Sequence, residues 1–284
     1  MRYELDIQLV IADIDGTFLD SNGNPSKGAF DAITGVRQQG IKFTLCSGRG
    51  DPMVAPLVKY LHLTLPYIAS GGSTILSATG PEVIWQKGLS EEKIARAVQF
   101  GAENQCEILF HTAREIYVVV SDIFWNRLVG WEWMKGHIIS PFVRVDQWHH
   151  LPSQDIIRLD FFPSNGCVPE LAKKIALLGN DFCVMVMKHN IEITDSHINK
   201  GSALVRLAEY LKIPLENIMA LGDGMNDMSM LDKAGLGIAL KNATEIVQSS
   251  ANFVAPSNDD GGFAWALHNY LKDGQTSRGV ILAE

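Results

Sequence analysis

Two aspartates separated by a single residue follow a short apolar run near the start of the chain. The run Leu9–Ala12 predicts a buried strand, and it leads directly into Asp13, Asp15, Gly16 and Thr17. In open α/β sheets, ligands bind beyond the carboxyl ends of the strands. A turning backbone can aim both carboxylates at one small volume, where they suit a metal ion, a nucleophile and a proton shuttle. This segment therefore predicts phosphoryl chemistry.

Three further polar segments stand at the end of a predicted strand or the start of a predicted helix. They are Ser47-Gly48-Arg49, Asn199-Lys200-Gly201 and Gly222-Asp223-Gly224-Met225-Asn226-Asp227. Each has an ordinary explanation when taken alone, because Asp-Gly and Ser-Gly are common in turns and a single lysine is usually exposed. Together they fall where α/β sheets present ligands, so the set indicates an active site. An EF-hand loop does not fit, since Phe18 and Asn24 occupy its glycine and glutamate positions, and a Walker loop (GxxxxGK[ST]) is not found.

The elements that must position these segments alternate between strands and helices in the first third of the chain and again after position 200. The predicted strands there are residues 7–12, 41–46, 66–69, 218–221, 237–240 and 253–254. Apolar residues recur at helical spacing between strands, as at Phe30, Ile33 and Val36. Such alternation is typical of parallel sheets with right-handed crossovers. The predicted fold class is therefore α/β, a doubly wound parallel sheet of Rossmann-like type.

The pattern changes after Gly80-Pro81. A predicted helix over 90–104 is followed by predicted strands at 107–111, 116–120, 157–162, 182–187 and 191–194. We expect an α+β domain of residues 87–187 inserted into a discontinuous core of residues 1–86 and 188–284. The tryptophans of the inserted stretch are expected to be core or domain-contact residues. They are Trp125, Trp131, Trp133 and Trp148.

Composition limits the classes of partner. The chain has 284 residues, of which 46% are apolar, and a formal net charge of −8. This length is comfortable for two domains. Since there is no basic stripe and no apolar run of about 20 residues, we expect neither a nucleic-acid partner nor a membrane span. The N-terminus lacks a secretory pattern and the four cysteines are scattered, which indicates a cytoplasmic location.

With these four polar segments in this order, the sequence resembles the haloacid dehalogenase-like phosphohydrolases, specifically their Cof-type branch. The spacing matches across nearly the whole chain, and that branch also inserts a cap domain between the Ser47 and Lys200 segments. One departure is the run of residues 70–73 (SGGS), where the family usually has Asn-Gly-Ala. The departure affects an expected polar contact near the cap hinge rather than the core chemistry.

The resemblance implies a Mg²⁺-dependent phosphatase of small phosphorylated metabolites, such as sugar phosphates or pyridoxal phosphate. Asp13 is the implied nucleophile, which forms an aspartyl-phosphate. Asp15 is the implied general acid and then general base. Ser47 would hydrogen-bond the transferring phosphoryl group, and Lys200 would compensate its charge. No organic cofactor is implied.

The same resemblance implies the metal ligands and the substrate contacts. The implied Mg²⁺ ligands are Asp13, Asp15 through its backbone carbonyl, Asp223 and Asp227. The implied substrate contacts are Thr17, Gly48, Arg49 and Asn226. Further polar candidates for substrate contact are His111, Arg114, Asp122, Arg158, Asp160 and Lys188. Gly80-Pro81 and Lys188-His189-Asn190 are the expected hinges.

Three other functions stay open at this point. A phosphomutase of the same architecture would return the phosphoryl group to a sugar, and the sequence does not decide between this and hydrolysis. A regulatory phospho-acceptor would be much shorter and would lack the cap insertion. A catalytically inactive binding protein would be expected to lack a motif residue, and all of the motif residues are present.

Overall fold

The computed structural model of the protein describes residues 6–129, 142–151 and 155–271. Along the chain, the strands in these residues are β1 (Leu9–Ala12), β2 (Lys42–Leu45), β3 (Tyr67–Ala69), β4 (Thr74–Leu76), β5 (Val83–Gln86), β6 (Cys106–His111), β7 (Ile116–Val119), β8 (Phe142–Arg144), β9 (Arg158–Pro163), β10 (Phe182–Val186), β11 (Ile191–Asp195), β12 (Ile218–Gly222), β13 (Leu236–Leu240) and β14 (Phe253–Ala255). The helices are α1 (Ala29–Gln38), α2 (Asp51–Tyr60), α3 (Glu91–Glu103), α4 (Asp122–Val129), α5 (Val168–Lys174), α6 (Lys200–Leu211), α7 (Met228–Lys233), α8 (Glu245–Ser250) and α9 (Gly262–Tyr270). None of the described helices is long and apolar enough to cross a membrane.

A five-stranded parallel sheet in the order β14-β13-β12-β1-β2 carries the two ends of the chain. Because side chains alternate along a strand, Val10 and Ala12 pack into the apolar cluster of α1 and α9, whereas Leu9 and Ile11 pack into that of α6 and α7. Helices therefore cover both faces of the sheet. The predicted doubly wound fold is confirmed.

A second sheet of six strands, in the order β10-β11-β9-β6-β7-β8, follows in the middle of the chain. Its pairs are antiparallel except for β7 with β8. One face packs against α3 and α5 through residues such as Ile108 and Phe161. Trp125 and Trp148 pack at the edges of apolar clusters, as expected, while Trp131 and Trp133 lie outside the described residues.

The six-stranded sheet extends past the domain boundary expected at residue 187. Strand β11 pairs with β10 and β9, so a boundary at residue 188 would divide the sheet. The two expected hinges are wrong for a related reason. Gly80-Pro81 lies in the β4–β5 hairpin of a third, three-stranded sheet, and Lys188–Asn190 lies in the β10–β11 hairpin. Hairpins and hinges share the same turn-forming residues, so composition alone did not separate them.

Arg114 joins the six-stranded sheet to the start of α2 and does not line the cavity that contains Asp13. Its Nη1 donates to Asp51 Oδ2 at 3.1 Å and to Tyr67 Oη at 3.3 Å, and its Nη2 donates to the carbonyls of Gly80 and Glu82. Tyr67 in turn donates to Asp51. Asp51 and Tyr67 are buried, so this network supplies their charged and polar atoms with partners.

Replacing Arg114 with methionine should lower the free energy of unfolding by about 1–3 kcal/mol, because the buried Asp51 carboxylate loses its cation. Arg144→Met is the matched control, since the Arg144–Asp122 pair is exposed and such pairs contribute at most about 1 kcal/mol. Urea unfolding of both variants measures the difference. Equal losses in the two variants would contradict the structural role of Arg114.

Candidate active site

The four polar segments of the sequence meet at one edge of the parallel sheet. Asp13 directly follows β1, Ser47 follows β2, and Asp223 directly follows β12, so all three lie at carboxyl ends of adjacent strands. Lys200 is the first residue of α6 and reaches the same place from the side. The parallel topology therefore brings together residues as far apart along the chain as Asp13 and Asp223.

Lys200 is fully buried between two carboxylates. Its Nζ lies 2.5 Å from Asp13 Oδ1 and 2.5 Å from Asp227 Oδ1. Burial alone would lower the pKa of the ammonium, but the two carboxylates outweigh this effect and raise the pKa of Lys200. Lys200 is therefore held as a cation at neutral pH.

The start of α6 is fixed by a reciprocal cap. The Asn199 side chain accepts a hydrogen bond from the backbone N–H of Ser202 at 2.8 Å, and Ser202 Oγ accepts from the backbone N–H of Asn199 at 3.1 Å. A Cβ at Gly201 would lie 2.2 Å from the Ser229 carbonyl, and one at Gly72 would lie 2.4 Å from the Asn199 carbonyl. These close backbone approaches position the helix terminus from which Lys200 extends.

Three carboxylates form an acidic cluster around this ammonium. Asp13, Asp223 and Asp227 each offer an oxygen, and the three oxygens lie within 4.8 Å of one another. Burial raises the pKa of Asp13 well above its usual value, against the opposing effect of Lys200. Burial also raises the pKa of Asp223 to about 6. Three carboxylates that share one ammonium carry an excess of negative charge, which suits a divalent cation bound by oxygen ligands.

Gly16, which lies between Asp15 and Thr17, makes room for Asp223. Gly16 has φ +77, and a Cβ there would lie 2.2 Å from Asp223 Oδ2. Thr17 is buried and donates from Oγ1 to Asp223 Oδ1 at 2.7 Å. Asn242 donates to Asp223 Oδ2 at 3.1 Å and to the Gly16 carbonyl at 2.9 Å. Thr17 therefore orients a carboxylate, and Asn242 is an additional site residue that the sequence motifs do not single out, although it follows β13.

Asp15 lies apart from the acidic cluster and pairs with Arg49. The guanidinium donates through Nε at 2.8 Å and through Nη2 at 2.5 Å to the two carboxylate oxygens. The Asp15 side chain is exposed, whereas that of Asp13 is buried. Of the two motif carboxylates, Asp15 is therefore the one that faces open space.

The SGGS segment supports the Ser47 loop through its backbone. The Ser70 N–H donates to the Arg49 carbonyl at 2.8 Å, and the Gly71 N–H donates to the Ser47 carbonyl at 3.0 Å. Ser70 has φ +51, a conformation that asparagine adopts more readily than serine. Ser47 is buried and its Oγ accepts from the backbone N–H of Arg49 at 3.1 Å.

A cavity of about 750 Å³ lies between this edge and the six-stranded sheet. Asp13, Asp15, Gly48, Arg49 and Asn226 line it from the core side. Among the polar candidates of the middle stretch, His111, Arg158 and Asp160 line it from the opposite side. Asp122 instead pairs with Arg144, and Lys188 is exposed in the β10–β11 turn.

The opposite wall carries a buried ionic cluster. Arg158 lies 2.7 Å from Asp160 Oδ1 through Nε and 3.3 Å from Glu192 Oε2 through Nη1, and it also donates to the Gly48 carbonyl. Burial would raise the pKa of Asp160, but Arg158 and His111 outweigh it and lower that pKa to about 2. Burial and Arg158 lower the pKa of His111, which stays neutral. Burial raises the pKa of Glu192 to about 7.

A family model described as haloacid dehalogenase-like hydrolase matches residues 10–267. The chain belongs to the haloacid dehalogenase-like hydrolase family. The resemblance inferred from the four polar segments is thereby confirmed, and the match runs through both the parallel sheet and the six-stranded sheet.

Similar proteins cover nearly the full length of this hydrolase. The 5-amino-6-(5-phospho-D-ribitylamino)uracil phosphatase YcsE of Bacillus subtilis is 27% identical over 95% of this chain and 98% of its own. The putative phosphatase YxeH of Bacillus subtilis is 26% identical over 93% and 98%. A solved haloacid dehalogenase-like hydrolase from B. subtilis has a TM-score of 0.78 at 24% identity, covering 93% of this chain and 100% of that one. At this identity the structural likeness supports the fold.

Replacing Gly16 with alanine should weaken the binding of a divalent cation by at least about tenfold, because the new Cβ displaces Asp223. Gly23→Ala is the matched control, since Gly23 has φ +80 and a Cβ there would have no other atom within 4 Å. Calorimetric titration with Mg²⁺ measures both variants. Unchanged affinity in Gly16→Ala, or an equal loss in Gly23→Ala, would contradict this role.

The raised pKa of Glu192 predicts a pH-dependent stability. Between about pH 4.5 and 7 the folded protein keeps a proton on Glu192 that the unfolded chain has lost, so stability falls as the pH rises through this range and then levels off. Burial and Asp160 raise the pKa of Glu192, and Arg158, Asn190 and Lys200 oppose them. The difference in unfolding free energy between wild type and Glu192→Gln should change by more than about 1 kcal/mol between pH 5 and 7.5. Urea unfolding with exposed Glu115→Gln as control measures it, and a pH-independent difference would contradict the shift.

Proposed function

We propose that this hydrolase cleaves phosphate monoesters of small metabolites, with Mg²⁺, through an aspartyl-phosphate at Asp13. The observation that carries the proposal is the Lys200 ammonium between Asp13 and Asp227, with Asp223 beside them. A dianionic phosphoryl group meeting these carboxylates is repelled by roughly 4 kcal/mol for each pair of unit charges 4 Å apart at an effective dielectric of 20. Positive charge at this place is therefore a requirement of the chemistry.

The donor set of the acidic cluster fits Mg²⁺. Asp13, Asp223 and Asp227 would hold the ion, with the Asp15 backbone carbonyl as a further oxygen ligand. When bound, Mg²⁺ supplies charge neutralisation for the phosphoryl group and the carboxylates. Burial raises the pKa values of Asp13 and Asp223, and the nearby carboxylates of Asp227 and Asp15 raise them further. A bound cation would offset that repulsion, which supports the same assignment.

The proposed first step is a displacement at phosphorus. A carboxylate oxygen of Asp13 forms a bond to phosphorus while the bond to the leaving oxygen breaks, and Asp15 donates a proton to that oxygen. Lys200 holds Asp13 in place, and Asn226 lines the cavity beside them. In this proposal Ser47 and Asn226 orient the phosphoryl oxygens. Asp15 must leave its pairing with Arg49 for this step, and the arriving phosphate offers Arg49 an alternative partner.

The proposed second step returns the enzyme to its starting state. Asp15, now a carboxylate, removes a proton from a water molecule, whose oxygen attacks phosphorus while the bond to Asp13 breaks. Inorganic phosphate leaves, and the proton on Asp15 serves the next turnover. The residues of the six-stranded sheet act as a lid that limits water to this role.

Two further parts of the proposal concern organisation and location. We assign residues 87–195 as an inserted cap, because this range keeps β11 with its sheet, and the remaining residues as the catalytic core. All four cysteines are free thiols, which supports a reducing, cytoplasmic location. YcsE acts on a phosphorylated metabolite according to its name, which supports a small phosphate ester as the substrate here.

Asp13→Asn should reduce phosphate release by at least about a thousandfold, because the attacking oxyanion is lost while the shape is kept. Asp15→Asn should slow an alkyl phosphate strongly and p-nitrophenyl phosphate less, since a good leaving group needs little protonation. Steady-state phosphate release, with exposed Asp31→Asn as control, measures these effects.

Two results would contradict this assignment of roles. One is more than a tenth of wild-type activity in Asp13→Asn, and the other is an equal loss with both leaving groups in Asp15→Asn. Phosphate release without any bisphosphate activator separates hydrolysis from phosphomutase activity. A requirement for such an activator would favour the mutase.

A further inference from the structure

One face of the six-stranded sheet looks into the 750 Å³ cavity, and this face is divided into two halves. The pairing register places Glu192 of β11 opposite Asp160 of β9, and Asp160 opposite Leu109 of β6. Since side chains alternate along a strand, these residues share the cavity face. One half is ionic and is lined by His111, Arg158, Asp160 and Glu192, and the other half is apolar.

Among the described residues of the ionic half, the two carboxylates of Asp160 and Glu192 face one arginine. Arg158 is shared by Asp160 and Glu192, and His111 is neutral because burial and Arg158 lower its pKa. Among the described residues that line this cavity, Arg49 is the other arginine, and it pairs with Asp15. The Glu192 carboxyl, whose pKa is raised to about 7, keeps a proton for part of the time instead.

The apolar half is continuous and includes one residue from outside the six-stranded sheet, Met53 of α2. Leu109, Ile116, Phe142 and Phe162 line the cavity from the sheet, and Met53 lines it from α2. A sugar hydroxyl placed here would lose its water without gaining a hydrogen bond, which costs on the order of 1–3 kcal/mol. An apolar ring would instead bury its surface favourably.

The cavity has room for such a leaving group. Its volume lies within the range of about 300–1,000 Å³ that is typical of small-molecule sites. The phosphoryl group belongs at the Asp13 end, so the leaving group extends across the two halves. A compact polyol would place hydroxyl groups against the apolar half, where they gain no hydrogen bonds. A plain hydrocarbon would fill the apolar half but would offer no cation to the Glu192 carboxylate.

We propose that the preferred substrate is a phosphate monoester whose leaving group has an apolar ring and a cationic nitrogen, with the ring against Leu109, Ile116 and Phe142 and the nitrogen against Glu192. The inference rests on the proposed phosphatase function and narrows its substrate class. Glu192 is thus a specificity-determining residue that takes no part in the chemical step.

Four primary-alcohol phosphates separate the two halves of this proposal. They are 4-(aminomethyl)benzyl phosphate (ring and ammonium), benzyl phosphate (ring alone), glucosamine 6-phosphate (ammonium alone) and glucose 6-phosphate (neither). The kcat/KM for phosphate release from 4-(aminomethyl)benzyl phosphate should exceed that from benzyl phosphate and that from glucosamine 6-phosphate by at least about tenfold each. Glucose 6-phosphate should be the poorest of the four.

Two substitutions test whether Glu192 and Ile116 select the leaving group. Glu192→Gln should lower kcat/KM for the ammonium esters by at least about tenfold, mainly through KM, and should leave benzyl phosphate within about twofold of wild type. Glu115→Gln, beside the same sheet but outside this cavity, is the control.

The second variant tests the apolar half: Ile116→Thr should lower kcat/KM for the two ring esters selectively. Ile108→Thr, a buried residue on the opposite face of the sheet, controls for the cost of a buried hydroxyl.

The possible outcomes distinguish this inference from the function on which it rests. Glucose 6-phosphate as the best of the four esters, or an ammonium preference that survives Glu192→Gln, would overturn the inference while leaving the phosphatase intact. No phosphate release from these esters or from p-nitrophenyl phosphate would instead overturn the proposed function. The expected ranking, lost selectively in each variant, would support both.

Discussion

The ammonium of Lys200 is buried between the carboxylates of Asp13 and Asp227, and the arrangement of the surrounding loops follows from that position. A charge removed from water is tolerated only when it is paired and hydrogen-bonded. Strand β1, the loop after β12 and the first turn of α6 must therefore meet at one point. The close backbone approach of Gly201 to α7 follows from the same requirement, because a side chain there would move Lys200 away. One ammonium still leaves three carboxylates undercompensated, and this excess of negative charge suits the site to a divalent cation.

The two sheets divide the work across the cavity between them. The edge of the parallel sheet carries the four polar segments, because its loops converge there, whereas the six-stranded sheet supplies a broad face with alternating side chains. Contact between them is direct, since Arg158 donates to the Gly48 carbonyl and a Cβ at Gly50 would lie 3.2 Å from His111 Nδ1. The loop that carries Ser47 and Arg49 is thus held from both sides.

The sequence predicts the parallel sheet well, and it predicts which polar segments meet at the edge of that sheet, since both depend on local patterns. An apolar run that ends in DxDGT predicts a strand with its aspartates at the carboxyl end. A capped helix that begins with lysine likewise predicts that this lysine lies at a helix N-terminus. The pairing of β11 and the role of Arg114 depend instead on contacts between distant segments, and no local pattern encodes them. Turn residues at Gly80-Pro81 are equally compatible with a hairpin and a hinge. Glu192 lies on a strand that the sequence predicts, but its charge imbalance emerges only when Arg158 and Asp160 are placed beside it.

The central claim is that a carboxylate, rather than a metal-activated water, attacks phosphorus first. The stereochemical course of hydrolysis tests this claim most directly, because it does not require the intermediate to accumulate. A monoester with a phosphorothioate group made chiral by oxygen isotopes would be hydrolysed in water of a distinct isotope. Two successive in-line displacements, at Asp13 and then at the aspartyl-phosphate, predict retention of configuration at phosphorus. Inversion would mean a single displacement by water, and it would contradict the account.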